Sequence, residues 1–337
     1  MPTAAELRRV ARSLLHATGV LELMRRLRPW GVRILVYHRF PPRARDATER
    51  QWAHLRRRYR PTTLTALAAM LADGAEPPPH TVVVTVDDGY RDFYENAYPL
   101  LRQYGIPATL FVPTGFVDGH CWLWGDRARY CLRRTRRRRI EVPLADGRVL
   151  QLSGGTGSEG SARLLNSELK RCTPSARDAV LAGLEQATGV KTPERPPPEF
   201  APCSWDEIRE VARAGIDIGA HSVTHPILSR LEDAAALRCE ILEPQRRLEE
   251  QLQRPVRHFA YPNGRWEDIG PEALRLVRGA FAAAVSMSPG WNDARTDLHL
   301  LHRTAVTPLD PLDVFSARLV AARASLGTGH RASPAYR

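Results

Sequence analysis

The stretch Thr81-Val-Val-Val-Thr-Val-Asp87-Asp88-Gly89-Tyr90 decides how this chain is to be read. The β-branched run from Val82 to Val86 reads as a buried strand, and it ends on two adjacent carboxylates followed by a glycine that permits a sharp turn. Adjacent residues at a strand end point to different sides, so one acid can ligate a cation while its neighbour takes a proton from water activated by that cation. Asp-Asp-Gly also makes an ordinary turn, so its meaning depends on what surrounds it.

Downstream, Asp92 to Tyr104 reads as a helix closed by Gly105, and Ala108 to Val112 as the next strand. Strand, helix and strand at this spacing make a βαβ unit and hence a parallel sheet. Upstream, Pro77-Pro78-Pro79 delivers the chain rigidly into the valine strand. Gln51 to Asp73 carries helical stretches around Pro61, and Pro41 to Arg50 reads as a polar loop. Arg33 to Tyr37 is a first strand, which puts His38 at a strand's C-terminal end, where α/β barrels carry their active sites. Before it, Leu7, Val10, Ala11, Leu14 and Leu15 recur at helical spacing among arginines, and Val20 to Leu27 resumes the pattern after Gly19. Such a basic amphipathic helix either lies on an anionic membrane or braces the domain.

From Asp118 the pattern changes. Arg133 to Arg139 is a charge run, Gly154 to Gly160 a Gly/Ser-rich link, and Pro193 to Pro198 a proline-rich exit, with a hairpin expected within Ile140 to Leu152 and helix within Ala162 to Gly189. Residues 118 to 199 therefore read as an insertion, whose position suggests that it overhangs the mouth of the site. Its arginines lack the interleaved aromatic platforms that single-strand binding needs, so no nucleic acid is expected; a solvated face or an anionic-substrate rim fits them better. Trp122 and Trp124, at its start, either stack on a sugar ring or pack the base of the insertion.

Order returns with Ser204-Trp-Asp-Glu207, a capping-box pattern, then a strand at Ile216 to Ala220 followed directly by His221-Ser-Val-Thr-His225. A helix from about Glu232 to Gln253 contains Pro244 and should kink or break there. Short strands follow at His258 to Tyr261, Phe281 to Val285 and Leu300 to Val306, with helices at Pro271 to Arg278 and Pro311 to about Ser325.

Composition narrows the class. At 337 residues and 43% hydrophobic content the chain can bury a large core, and its formal net charge of +12 comes almost wholly from arginine, since Lys170 and Lys191 are the only lysines. The five cysteines form no C-x-x-C pair, which argues against a disulfide framework or zinc ribbon. Arg8, Arg9, Arg12 and His16 interrupt any apolar leader and no run of 18 apolar residues occurs, so neither a cleaved signal nor a membrane-spanning helix is expected. A cytoplasmic setting follows, with the basic N-terminal helix available for peripheral contact at the inner membrane.

Two histidines with three residues between them after one strand and two aspartates at the end of another are more specific together than apart: two imidazoles and one carboxylate make a divalent-cation set with positions left open. At these residues the chain resembles the polysaccharide deacetylase family, also called carbohydrate esterase family 4 or the NodB-homology fold, over about residues 32–117 and 200–307. Thr85-Val-Asp87-Asp88-Gly89 looks like its first motif, base then metal ligand, and His221-Ser-Val-Thr-His225 like its second, with both ligand histidines. Phe259-Ala-Tyr-Pro-Asn263-Gly264 resembles the third, but Ala260 stands where many members have the arginine that orients the base, a departure shared with the exopolysaccharide and surface-glycan branch. The fifth motif is blurred, Leu300-Leu-His302-Arg303 keeping a histidine at altered spacing.

The resemblance implies an α/β fold, a distorted barrel of about seven parallel strands, with the N-terminal helix at 1–30, the barrel at 31–117 and 200–325, the insertion at 118–199 and a flexible tail at 326–337. It implies a metal-dependent carbohydrate N-deacetylase in which Asp88, His221 and His225 hold zinc, with cobalt or nickel as alternatives, Asp87 is the base, and His38 or His302 is the acid, His38 being preferred. Tyr261, Asn263 and Trp124 are the expected substrate contacts, and the substrate is an N-acetylated glycan or lipid-linked sugar. An O-acetyl esterase and a non-catalytic glycan- or anion-binding module are the competing readings.

Overall fold

The computed structural model describes residues 18–27 and 31–321. Among them are ten strands: β1 (Arg33–Tyr37), β2 (Arg60–Thr62), β3 (Thr81–Val86), β4 (Ala108–Val112), β5 (Arg139–Pro143), β6 (Val149–Ser153), β7 (Asp217–Ala220), β8 (His258–Ala260), β9 (Ala283–Val285) and β10 (Arg303–Ala305). Seven of these run in the order β10-β1-β3-β4-β7-β8-β9, every pairing parallel. The ends of this row meet where Leu301 donates to the Ala284 carbonyl at 3.0 Å and accepts from Ser286 N–H at 2.8 Å, giving a nearly closed barrel with flanking helices.

Period-two alternation sorts the barrel's side chains. Val82, Val84 and Val86 pack outward with Trp52, Leu100 and Ile208 on the surrounding helices, whereas Val83 shares the interior with Ile34, Phe111, Ala260, Val285 and Leu301. Phe111 fills this interior because β7 has no side chain at Gly219, where a Cβ would come within 2.4 Å of the Phe111 ring. The helix Leu64–Ala72 closes the N-terminal end of the barrel, with Leu64, Leu67 and Leu71 in the interior cluster. Its Thr65 hydroxyl lies 3.0 Å from Asp217 Oδ2 and 2.8 Å from His258 Nε2, at the first residues of β7 and β8.

Several local expectations need adjustment. Residues 45–50, expected as loop, open the helix Arg45–Arg58, whose part from Gln51 was expected, and the chain around Pro61 is β2, which shares the outer edge of β3 with β4 by pairing only with its first half. The long helix Ala234–Leu252 runs through Pro244 without a break. Helix Val20–Leu27 behaves as a brace: Leu21 is buried, and Arg25 donates to the Arg58 carbonyl at 3.0 Å. The helix expected over Leu7 to Leu15 and the tail from 326 lie outside the described residues.

Between β4 and β7 the chain builds helices Trp124–Arg134, Glu159–Leu169 and Pro174–Thr188 around the antiparallel hairpin β5–β6. This segment has a core of its own, including Leu132, Ile140, Val142, Leu165 and Leu184. Trp122 packs its base, stacking among Tyr130 and Phe200 and donating Nε1–H to the Pro193 carbonyl at 3.0 Å. In the arginine run, Arg133 pairs with Glu159 at 3.2 Å, Arg134 with Glu199 at 3.0 Å, and Arg137 donates to the Ala187 carbonyl at 2.6 Å. The run is thus mainly engaged within its own segment.

Candidate active site

Five barrel strands end around one cavity of about 310 Å³, at their C-terminal side. It is lined by His38 after β1, Asp87 and Asp88 after β3, His221 and His225 after β7, Asn263 after β8 and Met287 after β9. Among the described residues, four of the six non-glycine residues with left-handed backbone, Asp88 (φ 76°), Ser222 (φ 64°), His225 (φ 59°) and Asn263 (φ 57°), belong to these turns. Such strain is retained only where surrounding contacts impose it.

For the turn after β7 those contacts are specific. Glu240, on the long helix, accepts from the N–H groups of Val223 and Thr224 at 2.8 and 2.9 Å and from the Thr224 hydroxyl at 2.5 Å. Ser222 Oγ accepts from His225 N–H at 3.0 Å, and Trp124 Nε1–H donates to the His225 carbonyl at 3.0 Å. After β8, Gly264 (φ 59°) is required, because a Cβ there would lie 2.8 Å from the Tyr261 carbonyl oxygen.

The three candidate ligands converge. Asp88 Oδ1 lies 3.5 Å from His221 Nε2 and 3.4 Å from His225 Nε2, and it is buried without a hydrogen bond. His221 Nδ1 faces the Ala260 carbonyl at 2.6 Å, which can only accept, so the neutral ring presents the Nε2 lone pair. Burial pushes His225 down to about 4, leaving it neutral near pH 7. Burial opposes ionisation of Asp88, yet the two imidazoles and His38 hold its carboxyl well below the usual range. Burial also works against a charged His221, but Asp88 and Asp87 outweigh it and favour positive charge there. Acceptor atoms facing one centre under such a field fit a divalent cation, and the donor set of two imidazoles and a carboxylate suits zinc, cobalt or nickel.

Asp87 is the separate carboxylate, 2% exposed. Arg303, 1% exposed, grips it in a fork, Nη1 to Oδ1 and Nη2 to Oδ2 both at 2.7 Å, while its Nε donates to the Ser286 carbonyl at 2.9 Å. Burial raises the Asp87 carboxyl, but the guanidinium, first by charge, and His221 overcome this and keep it ionised. Arg303 thus reaches Asp87 from β10, two strands round the barrel from β3 and, across the closure, two from the β8 position that Ala260 holds. In the sequence Arg303 stands only as the neighbour of His302, and which of the two faces inward is set by the register of β10 on β1.

The same alternation settles the histidines. Leu301 and Arg303 face inward, so His302 faces out; its ring packs on Gly290, where an added Cβ would come within 2.7 Å, and it does not line the cavity. His38 does line it, with Nε2 at 4.0 Å from Asp87 Oδ2 and its side chain 42% exposed. Tyr261 is likewise not brought to the cavity: it alternates outward with Phe259 and donates its hydroxyl to the His299 carbonyl at 3.0 Å. Asn263 and Trp124 are cavity residues, and Asn263 Nδ2 is buried with no hydrogen bond.

The other wall comes from the segment after β4: Leu123, Trp124, Gly125, Asp126, Arg129, Asn166 and Lys170. Asp126 accepts from the Tyr90 hydroxyl at 2.5 Å and from Arg129 at 2.9 Å, tying this wall to the turn that carries Asp87 and Asp88.

Comparisons with known proteins agree with this arrangement. The Streptococcus pyogenes deacetylase PplD in complex with acetate superposes over 86% of this chain and 99% of its own at a TM-score of 0.55 and 18% identity. IcaB from Ammonifex degensii does so over 87% and 98% at 0.54 and 21%. At these identities they share the fold. The putative polysaccharide deacetylase YxkH of Bacillus subtilis (strain 168) is 33% identical over 100 residues, 28% of this chain, so that the match spans about a third (35%) of that relative. The poly-beta-1,6-N-acetyl-D-glucosamine N-deacetylase of Staphylococcus aureus is 50% identical over 40 residues, 12% of this chain and 14% of its own length. Residues 74–276 match the polysaccharide deacetylase family model, which takes in the Asp-Asp turn, the His-x-x-x-His turn and the segment between them. The chain belongs to the polysaccharide deacetylase family.

Proposed function

We propose that the protein is a metal-dependent N-deacetylase acting on an N-acetylated amino sugar of a surface polysaccharide or its lipid-linked precursor. The observation that carries this reading is the placement, in one cavity, of a three-ligand cation site beside a carboxylate that is not needed as a ligand and is kept ionised by Arg303. Bound by Asp88, His221 and His225, a divalent ion such as zinc supplies a Lewis acid that acidifies water and polarises the acetamide carbonyl. Asp87 takes the proton of the attacking water, and Arg303 keeps the carboxylate free to do so. His38, whose Nε2 lies 4.0 Å from Asp87 Oδ2, gives a proton to the departing nitrogen, so acetate and amine separate. The unpartnered Asn263 amide donates to the substrate, and Trp124, 7% exposed, contributes part of the apolar lining. An ester-linked acetyl group would yield to the same attack.

Acetate release from N-acetylated sugars, free and lipid-linked, by zinc- or cobalt-loaded protein tests this. Asp87→Asn should abolish release while retaining metal, and His221→Ala should lose both. Metal binding with no acetate release, and glycan affinity unaltered in Asp87→Asn, would support the binding-module reading instead. The proposed setting is the cytoplasmic face of a membrane, with the N-terminal arginines on anionic headgroups. Among the described residues no helix is long and apolar enough to cross a membrane, and vesicle co-sedimentation checks the peripheral contact.

A further inference from the structure

The wall facing the metal ligands carries polar capacity that the reaction does not use. Three carboxylates line the cavity, and two have protein partners: Asp87 has Arg303, and Asp126 has Arg129 and Tyr90. Asp88 belongs to the cation site. Lys170 is different. Its ammonium makes no hydrogen bond or ion pair among the described residues, and the charged groups that act on it, Asp268 and Arg265, have opposite signs. One turn earlier on the same helix, Asn166 also lines the cavity, and its Oδ1 is buried with no hydrogen bond. Residues four apart on a helix share a face, with Cβ atoms roughly 5–6 Å apart. An acceptor and a cation at that separation match a hydroxyl and an anionic substituent on one sugar or across one linkage. The cavity volume, about 310 Å³, lies at the small end for ligand sites, which suits a short saccharide end rather than a long strand.

We infer that Asn166 and Lys170 form a subsite for an anionic group, phosphate or carboxylate, attached next to the N-acetylated sugar. The inference rests on the deacetylase reading of the same cavity and adds that the substrate is a charged saccharide. Asn166 Oδ1 accepts from a sugar hydroxyl, Lys170 donates to the anion, and Trp124 lies on the same wall.

The test is equilibrium binding to the full chain carrying Asp87→Asn, with zinc loaded, so that no ligand is turned over. The probes are N-acetylglucosamine, N-acetylglucosamine 1-phosphate, and a disaccharide in which glucuronate is joined to N-acetylglucosamine. At least one anionic probe should bind roughly tenfold more tightly than the neutral sugar, a preference that weakens with added salt. Lys170→Gln should collapse the preference and Lys170→Arg should keep much of it. The stronger of the two anionic probes identifies the group. Equal binding of neutral and anionic probes, a preference that survives Lys170→Gln, or binding of none of them overturns the subsite. Acetate release from the neutral sugar by the unsubstituted chain would, in those cases, leave the deacetylase reading standing. Conversely, Lys170-dependent anion binding with no acetate release from any probe would fault that reading and not the subsite.

Discussion

Replacing Arg303 with methionine keeps an unbranched side chain of similar length but removes the fork that holds Asp87. Both partners are essentially inaccessible to water, so the carboxylate loses two charge-assisted hydrogen bonds of 2.7 Å and gains no solvent. Removing one member of a buried ion pair costs about 3–5 kcal/mol when the other stays charged. The group can avoid part of that cost by taking up a proton, and at 1.36 kcal/mol per unit the same energy corresponds to a rise of roughly 2–4 pKa units. The Asp87 carboxyl now lies below its ordinary value. In the variant burial is no longer opposed by the guanidinium, so the carboxyl should move up, above its ordinary value. Two measurements follow. In the metal-loaded enzyme, the acid limb of kcat/KM against pH should move upward by about two units or more, with Arg303→Lys in between because a single ammonium replaces the fork. In metal-free protein, the depressed Asp87 pKa contributes stability above the unfolded value that is lost as pH falls through the folded value. In Arg303→Met the sign reverses, so the destabilisation relative to the parent should be small near pH 4 and grow toward pH 7. An unmoved acid limb together with a pH-independent loss of stability would refute the assignment of Arg303 as the residue that sets the ionisation of Asp87.

Glu240→Gln should weaken zinc or cobalt binding by about 10- to 100-fold in a competition titration, because an amide nitrogen replaces an acceptor at the N–H groups of Val223 and Thr224; unchanged affinity would show that the turn holds itself. Gly219→Ala should destabilise by about 1–3 kcal/mol in chemical denaturation through collision with Phe111, and Phe111→Leu in the same chain should recover much of it. Burial pushes His258 below its ordinary value despite Asp217, so the unfolded chain takes the proton first. Stability should therefore fall as pH drops below about 6.5, and His258→Asn should flatten that slope.

The legibility of the site followed the range of the interactions that build it. The valine run, the Asp-Asp turn, the His221 and His225 spacing and the Ser204 to Glu207 capping box depend on neighbours within a few residues, and each is present where the sequence places it. β2 escaped notice because three residues including Pro61 show no periodicity, and Pro61 can sit there because it contributes only part of one edge. The two proton-donor candidates could not be separated in sequence, since the parity of β10 is set by its pairing with β1, 269 residues away in the register of Ile34 with Arg303.

By itself, then, the sequence determined the alternation of strands and helices, the candidate cation ligands and candidate base, and the existence of a separate segment after β4. These are properties of local spacing and side-chain chemistry. Only the tertiary structure decided that Arg303 grips Asp87, that Glu240 and Trp124 hold the His225 turn, that His302 and Tyr261 face away, and that Lys170 and Asn166 line the same cavity as the candidate metal ligands. The physical reason is common to all four: barrel closure and helix packing bring together groups far apart in the chain, and a strand's register decides which of two neighbouring side chains faces the site.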